Sequence, residues 1–160
     1  MTRSIMLLKE KPYRPRMADY RIGVFFTGRE QLGEGAKTTA PVYYANRWDI
    51  QPSDTAAYLR GEKVKPTKQI VFYIDNTFPE KWKPYLREGV TQWNELFEQI
   101  GFKDVVAAKD FPTDDPEFDP DNIKYSCVRY APSSIENAMG PSWVDPRSGR
   151  NLECLRIFIS

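Results

Sequence analysis

The most regular hydrophobic pattern in the chain begins at Gln69. The run QIVFYID, residues 69–75, is almost continuously β-branched or aromatic, which is typical of a strand buried on both faces. After it, apolar residues recur at steps of three or four and predict one side of a single long helix: Trp82, Leu86, Val90, Trp93, Phe97 and Ile100. We expect both tryptophans of this stripe to lie in the core.

The predicted helix has signals at both ends. Asn76 or Thr77 can cap its start, Pro79 or Pro84 fits its first turn, and Gly101 can end it. A strand, a long helix and a second strand in this order predict a right-handed crossover, with the two strands parallel.

Three further segments complete the pattern of the second half. KDVVAAKD (103–110) predicts the second strand, IKYSCVRYAPS (123–133) the third, and GPSWVDPRSGRNLECLRIFIS (140–160) a closing pair of strands with DPRSG as the turn. The fold class predicted for residues 69–160 is therefore α/β (α+β), with a mixed twisted sheet and one crossover helix.

Residues 1–68 are less regular and predict an N-terminal arm with short strands. RIGVFFTG (21–28) and PVYYANRWDI (41–50) are strand candidates, and the segment GREQLGEGAKTT between them predicts a Gly-rich loop. One helical turn follows, capped by Ser53 or Asp54 and closed by Gly61.

Charge favours no nucleic-acid or membrane partner. The chain has 23 Lys and Arg against 22 Asp and Glu, so no global field points to such a surface. The SIMLL segment is too short for a signal-peptide core or a membrane span. The basic start, with Tyr13 among its cations, could contact phosphate, but no nucleic-acid motif accompanies its four basic residues, Lys9, Lys11, Arg14 and Arg16.

The chain contains no histidine. This removes both the most common general base and the most common zinc ligand, so a Ser-His-Asp or Cys-His site cannot be built from these residues. Cys127 and Cys154 match no zinc-ribbon spacing. Buried thiols are the favoured interpretation, and a cross-strand disulfide is the alternative if the chain is secreted.

An acidic loop between the second and third strands is a second candidate for metal binding. Its carboxylates alternate along FPTDDPEFDPDN, at Asp115, Glu117, Asp119 and Asp121. Carboxylate oxygens in a flexible loop suit calcium, but the Gly at the sixth position of an EF-hand loop is missing and prolines interrupt the segment. A solvated loop is the favoured interpretation.

Several segments in order resemble one family. YRPRMADYRIGVFF, YYANRWDI, KQIVFYIDNTFPEKWKPYLREGVTQWNELFEQIGFKDVVAAKD and VRYAPSSIENAMGPSWVDPRSG are similar to bacterial secreted zinc-dependent metalloproteases with a metzincin-like catalytic domain. The likeness runs from about Tyr13 to about Cys154. It implies a metzincin-like upper subdomain in which the third and last strands are neighbours. It also implies a pre-catalytic arm whose Arg14 and Arg16 pair with carboxylates, and export to the periplasm or cell surface.

The same resemblance implies zinc chemistry that these residues cannot supply. In the family, zinc is held by an H-E-x-x-H helix, and the sequence ends at Ser160 before such a helix. We therefore expect a truncated catalytic domain with no zinc bound by this chain and no catalytic residue in it, inactive by itself.

Of the family's substrate site, the resemblance leaves to this chain an edge strand, along which a peptide or protein substrate would lie antiparallel. By resemblance, its residues are Asn137, Ala138, Met139, Gly140, Pro141, Ser142 and Trp143. An ordinary hairpin edge protected by proline is the alternative interpretation of the same residues. A non-catalytic binding module, or a homodimer formed through an exposed sheet face or edge, is the alternative function.

Overall fold

The computed structural model describes residues 5–33, 35, 37–134 and 137–159, except for the side chains of 153–156 and 158. The fold is mixed α/β, as predicted. In chain order its elements are β1 (Phe26–Leu32), β2 (Thr39–Ala45), α1 (Thr55–Leu59), β3 (Ile70–Ile74), α2 (Lys83–Thr91), α3 (Asn94–Gln99), β4 (Val106–Asp110), β5 (Ser126–Tyr130), β6 (Ala138–Met139), β7 (Ser142–Asp145) and β8 (Arg150–Ile159).

The chain divides into two compact units, which are described separately. The sheet unit comprises the described residues of Ile50–Pro141 and Glu153–Ser160. The arm unit comprises the described residues of Ile5–Asp49 and Ser142–Leu152.

The main sheet has the strand order β4-β3-β5-β8-β6. β3 pairs in parallel with β4 and with β5, and β5 pairs in parallel with β8. The parallel pairing predicted for the first two strands of the second half is therefore confirmed. β6 is antiparallel to β8 and lies at the end of this order, while β7 also pairs with β8.

The core of the sheet unit follows the hydrophobic run from which β3 was predicted. Along β3 the buried side chains alternate at Ile70, Phe72 and Ile74, and Ile74 has no exposed surface. Val105, directly before β4, and Val128 of β5 are also fully or almost fully buried. α2 packs against β3 and β4, so burial of apolar surface on this face stabilises the sheet.

The single long helix predicted from the stripe is wrong in detail, because two helices stand in its place. α2 ends at Thr91, whose hydroxyl donates to the Arg87 carbonyl at 2.8 Å, and α3 begins at Asn94. The Asn94 amide accepts from the Val106 N–H and donates to the Val106 carbonyl, both at 2.8 Å. The break therefore places a polar residue, not Trp93, beside β4.

Trp82 and Trp93 were expected in the core, and this expectation is also wrong. They are 41% and 60% exposed. The helix break interrupts the stripe at Trp93, and Trp82 lies at the N-cap of α2, ahead of the first helical turn. Pro84 does lie in that first turn, as one of the two predicted prolines.

Four helix ends were predicted from the sequence, and three of the predictions are confirmed. Thr77 does not cap α2; its N–H and hydroxyl both donate to the Asp75 carboxylate at 2.9 Å. Asp54 is the N-cap of α1 and accepts from the Ala57 N–H at 2.9 Å. Gly61 and Gly101 follow α1 and α3 with φ of 85° and 86°, the conformation that favours glycine after a helix.

In the arm unit β1 and β2 form an antiparallel pair, from Phe26 opposite Ala45 to Leu32 opposite Thr39. The predicted strand at 21–28 and the Gly-rich loop at 28–39 are therefore displaced, because β1 continues through Leu32. The strand passes Gly28, where the Tyr43 ring would lie 3.2 Å from any added Cβ atom. Pairing with β2 satisfies the backbone hydrogen-bonding groups of a segment whose composition favours a loop.

The cysteine prediction is answered only in part. Cys127 is fully buried in β5, and β5 pairs with β8, as the resemblance implied for the third and last strands. Cys127 lies opposite Arg156, two positions along β8 from Cys154, whose side chain lies outside the described part. Among the described residues, no helix is long and apolar enough to cross a membrane.

Candidate functional site

The seven residues predicted as a substrate strand do not form one strand. Ala138–Met139 form β6 at the edge of the main sheet, and Ser142 and Trp143 begin β7, which belongs to the arm unit. Gly140 and Pro141 separate the two strands. All seven residues from 137 to 143 are exposed.

The geometry of β6 suits backbone pairing with another extended segment. Ala138 lies opposite Ile159 and Met139 opposite Phe158, so β8 occupies one side of the strand. Within the described ranges, no further strand follows β6 in the sheet order. The Ala138 N–H donates to the side-chain oxygen of Asn137 at 2.8 Å, so an incoming carbonyl would compete with that local bond. An edge of this kind can take an extra strand.

Carboxylates of the acidic loop accept hydrogen bonds from backbone N–H groups of the same loop. Asp115 accepts from the Glu117 N–H at 2.9 Å, and Asp119 accepts from the Asp121 N–H at 2.8 Å. Asp121 pairs with Arg129 at 2.8 Å. In the described part of the chain, no three His, Cys, Asp or Glu side chains are grouped so that they could hold a metal ion.

The loop carries an aromatic anchor that the sequence analysis missed. The Phe118 ring packs against Tyr73, Phe111 and Tyr125, with centroids 4.8–5.1 Å apart. Burial raises the pKa of the Tyr73 phenol above its ordinary value. One aromatic residue among prolines and carboxylates gave no periodic signal, so only the fold shows that Phe118 attaches the loop to β3 and to the start of β5.

In the arm unit, the DPRSG turn is built around a buried carboxylate. Asp145 accepts from the backbone N–H of Arg147 at 2.9 Å and from its side chain at 3.0 and 2.8 Å. These bonds from Arg147 hold the pKa of Asp145 below its ordinary value, although burial opposes them. Arg147 also donates to the Lys9 carbonyl at 2.8 Å, which connects the turn to the start of the arm.

The turn is joined to the NRW segment by backbone hydrogen bonds. The Arg47 N–H donates to Gly149, and the Asn151 N–H donates to Arg47, at 2.9 and 2.7 Å. The side chains of Arg150 and Asp49 are 3.3 Å apart. Two of the segments that carry the family resemblance therefore meet in the arm unit, where they form a polar junction.

A basic pocket of about 490 Å³ lies beside this junction, lined by Tyr13, Arg14, Pro15, Arg16 and Arg47. Arg14 and Arg16 were expected to pair with carboxylates. Within residues 5–33, 35, 37–134 and 137–159, the structure records no ion pair for either of them. Arg47 was missed by the sequence analysis because it lies 33 positions from Arg14 and outside any charge run.

Comparison with known proteins gives one match. A family model described as a domain of unknown function (DUF5117) matches residues 1–53, less than half of the chain. No curated protein and no solved structure matches the chain. The matched segment contains the residues of the basic pocket and both strands of the β1–β2 pair, and it ends before β3.

Proposed function

We propose that this chain is the substrate-holding part of a zinc-dependent metalloprotease domain of the metzincin-like secreted type, and that β6 is the strand against which the peptide lies. The observation that carries the proposal is the sheet order. β6, an exposed strand antiparallel to β8, ends a strand order whose pairs β4–β3, β3–β5 and β5–β8 are parallel, and it is formed by part of the segment that the resemblance assigned to substrate.

The chemistry assigned to this chain is limited to binding. An extended peptide would pair its backbone with the outer side of Ala138–Met139 and displace the Asn137 side chain from the Ala138 N–H. Gly140 has no side chain to obstruct the peptide, and Pro141 has no N–H with which to extend the ladder.

The residues of this chain do not fit a zinc site. It has no histidine, and in its described part the acidic-loop carboxylates bond to backbone N–H groups and Arg129 rather than converging on one point. No catalytic step is therefore assigned to these 160 residues. In the proposal, the metal ligands and the general base come from sequence outside them, and the active protein is exported.

The proposal is tested with the complete reading frame that encodes this segment. We expect it to encode H-E-x-x-H beyond residue 160, and the purified product to carry zinc and hydrolyse peptides in an EDTA-sensitive reaction. The 160-residue chain, assayed in parallel with added zinc, should show no turnover. A complete product without zinc and without peptidase activity would refute the proposal, as would metal-dependent turnover by the 160-residue chain.

The role of the edge is tested separately in the active product. A Gly140→Val substitution places a branched side chain where the peptide backbone would approach, so KM should rise while kcat changes little. Gly89→Ala is the matched control, since Gly89 lies in α2 with open space around its Cβ position. Equal effects of the two substitutions on KM would contradict substrate binding at β6.

A binding module without catalysis is the second candidate, and exposed apolar side chains on the helices favour it. Tyr85 of α2 and Leu96 of α3 are exposed, as are Trp93 before α3 and Ile100 after it. Large exposed apolar side chains of this kind can form an interaction surface. Sedimentation at increasing concentration discriminates a homodimer from a monomer, and a homodimer without any peptidase activity from the complete reading frame would favour this candidate.

A further inference from the structure

In the arm unit, three arginines that line one pocket have no carboxylate partner among the residues that the structure describes. Arg14, Arg16 and Arg47 line one pocket together with Tyr13. Three other arginines of the same unit are paired: Arg21 with Asp19 at 2.6 Å, Arg147 with Asp145 at 2.8 Å, and Arg150 with Asp49 at 3.3 Å. Three guanidinium groups around one pocket repel one another, and an anion between them relieves that repulsion.

Arg47 is held in place by contacts that leave donors unused. One of its terminal nitrogens donates to the Tyr13 hydroxyl at 3.2 Å, and the other donates to the Arg14 carbonyl at 2.8 Å. Its guanidinium also lies over the Tyr13 ring, 4.7 Å from the centroid. A guanidinium has five N–H donors, so these contacts orient the group without exhausting it.

The Nε atom of Arg47 is buried and has no hydrogen-bond partner among the described residues. A buried donor without an acceptor is destabilising. The unsatisfied donor shows that the surrounding residues leave part of the hydrogen-bonding capacity of Arg47 unused. An anion in the neighbouring pocket would bring negative charge close to this guanidinium.

We infer that this pocket binds a phosphate group, either as inorganic phosphate or as a phosphate monoester. A phosphate carries close to two negative charges and three acceptor oxygens, which suits several guanidinium donors better than the single charge of a carboxylate. At about 490 Å³, the pocket has space for the organic part of a monoester. This site is separate from β6 and does not depend on the proposed protease function.

The test is a titration of the full 160-residue chain with inorganic phosphate and with phenyl phosphate, followed by NMR of the arginine Nε–H resonances at constant ionic strength. We expect a saturable shift of the Arg47 Nε–H signal with phosphate. Acetate, added as a carboxylate probe, should produce a much weaker shift. Tighter binding of phenyl phosphate indicates a monoester as the natural ligand, and equal binding indicates the free ion.

Two exposed arginines provide the variants. Arg14→Gln and Arg16→Gln should each weaken binding about tenfold, the effect of one charge-assisted hydrogen bond. Arg14→Gln keeps the backbone carbonyl that Arg47 uses. Arg29→Gln is the control, because Arg29 lies on β1 in the same unit and does not line the pocket.

Three results would overturn the inference: the absence of a saturable shift with either phosphate probe, an acetate affinity equal to that of phosphate, or a loss in Arg29→Gln as large as in Arg14→Gln. Peptidase activity of the complete reading frame plays no part in this readout. Failure of the phosphate site is therefore distinguishable from failure of the proposed function.

Discussion

The two units of this chain are stabilised in different ways. Among the described residues, the buried apolar side chains lie in the sheet unit with one exception, Ala45 of the arm unit. The arm unit instead buries Asp145 and Ser148 and exposes aromatic residues such as Tyr20 and Phe25. The sheet unit thus depends on the hydrophobic effect, and the arm unit on hydrogen bonds and ion pairs around one turn.

The two units also differ in the balance of basic and acidic residues. By sequence, Ile5–Asp49 with Ser142–Leu152 carries ten Lys and Arg against six Asp and Glu, whereas Ile50–Pro141 with Glu153–Ser160 carries 12 against 16. The near-neutral total conceals this asymmetry. A basic unit held by polar contacts suits recognition of an anion, and an acidic unit with an apolar core suits a rigid scaffold.

The largest expected effect concerns the apolar core. Ile74→Ala removes a fully buried side chain from the central region of the sheet and should lower the free energy of unfolding by about 2–5 kcal/mol. Ile22→Ala, in the arm unit, removes a side chain that is 61% exposed and should change it by less than about 0.5 kcal/mol. Urea unfolding of both variants measures the difference, and similar losses would contradict the contrast between the units.

The polar junction of the arm unit is tested at a glycine. Gly149 has φ of 69°, and an added Cβ would lie 2.5 Å from the Ala45 carbonyl oxygen, so Gly149→Ala should cost about 2–3 kcal/mol. Gly35→Ala should cost only the strain of a positive φ, since no atom lies near the Cβ position of Gly35. Amide hydrogen exchange should show loss of protection at Arg47 and Asn151 only in the first variant.

The carboxylate of the turn should make the stability of the arm unit depend on pH. Because the pKa of folded Asp145 lies below its ordinary value of 3.8, its contribution is fully present above that value and is lost as the pH falls through the folded pKa. At neutral pH, Asp145→Asn should cost about 1–2 kcal/mol.

The measurement for Asp145 is hydrogen-exchange protection at Asn151, compared between wild type and variant from pH 7 down to pH 3. The difference should shrink at the acid end of this range. A difference that stays constant, or grows as the pH falls, would show that the ionised carboxylate does not stabilise the turn.

The smallest expected effect is local to the sheet unit. Asp54 caps α1 through the Ala57 N–H, so Asp54→Ala should destabilise the chain by about 1 kcal/mol, and Asp54→Ser should restore most of the loss. Thermal unfolding of the pair checks this prediction. If serine fails to restore stability, the side chain of Asp54 acts by some means other than capping.

The sequence predicted the sheet unit better than the arm unit for a physical reason. β3 is a continuous apolar run whose burial is encoded locally, and its parallel pairing with β4 follows from the crossover rule. The arm depends on pairs far apart in the chain, such as Arg147 with the Lys9 carbonyl, 138 positions away. Periodicity does not report such contacts, so the polar junction was not visible in advance, and of the basic pocket the sequence indicated only the basic start with Tyr13 and not the contribution of Arg47.

Local signals also failed within the sheet unit. The spacing of apolar residues through Trp93 predicted one helix, but the two hydrogen bonds between Asn94 and Val106 coincide with a break that the spacing does not encode. For β6, the family resemblance predicted an edge strand over residues 137–143, of which only Ala138 and Met139 form β6. The division between Met139 and Ser142 arises from pairing with β8 and from the separate unit to which β7 belongs.

The central claim is that an extended peptide pairs with β6. The most direct measurement is amide hydrogen exchange of the complete product, kept in EDTA to prevent cleavage, with and without a saturating peptide. The account predicts slower exchange at Ala138 and Met139 and unchanged exchange in β1. Peptide binding that leaves the exchange of both β6 amides unchanged would contradict it.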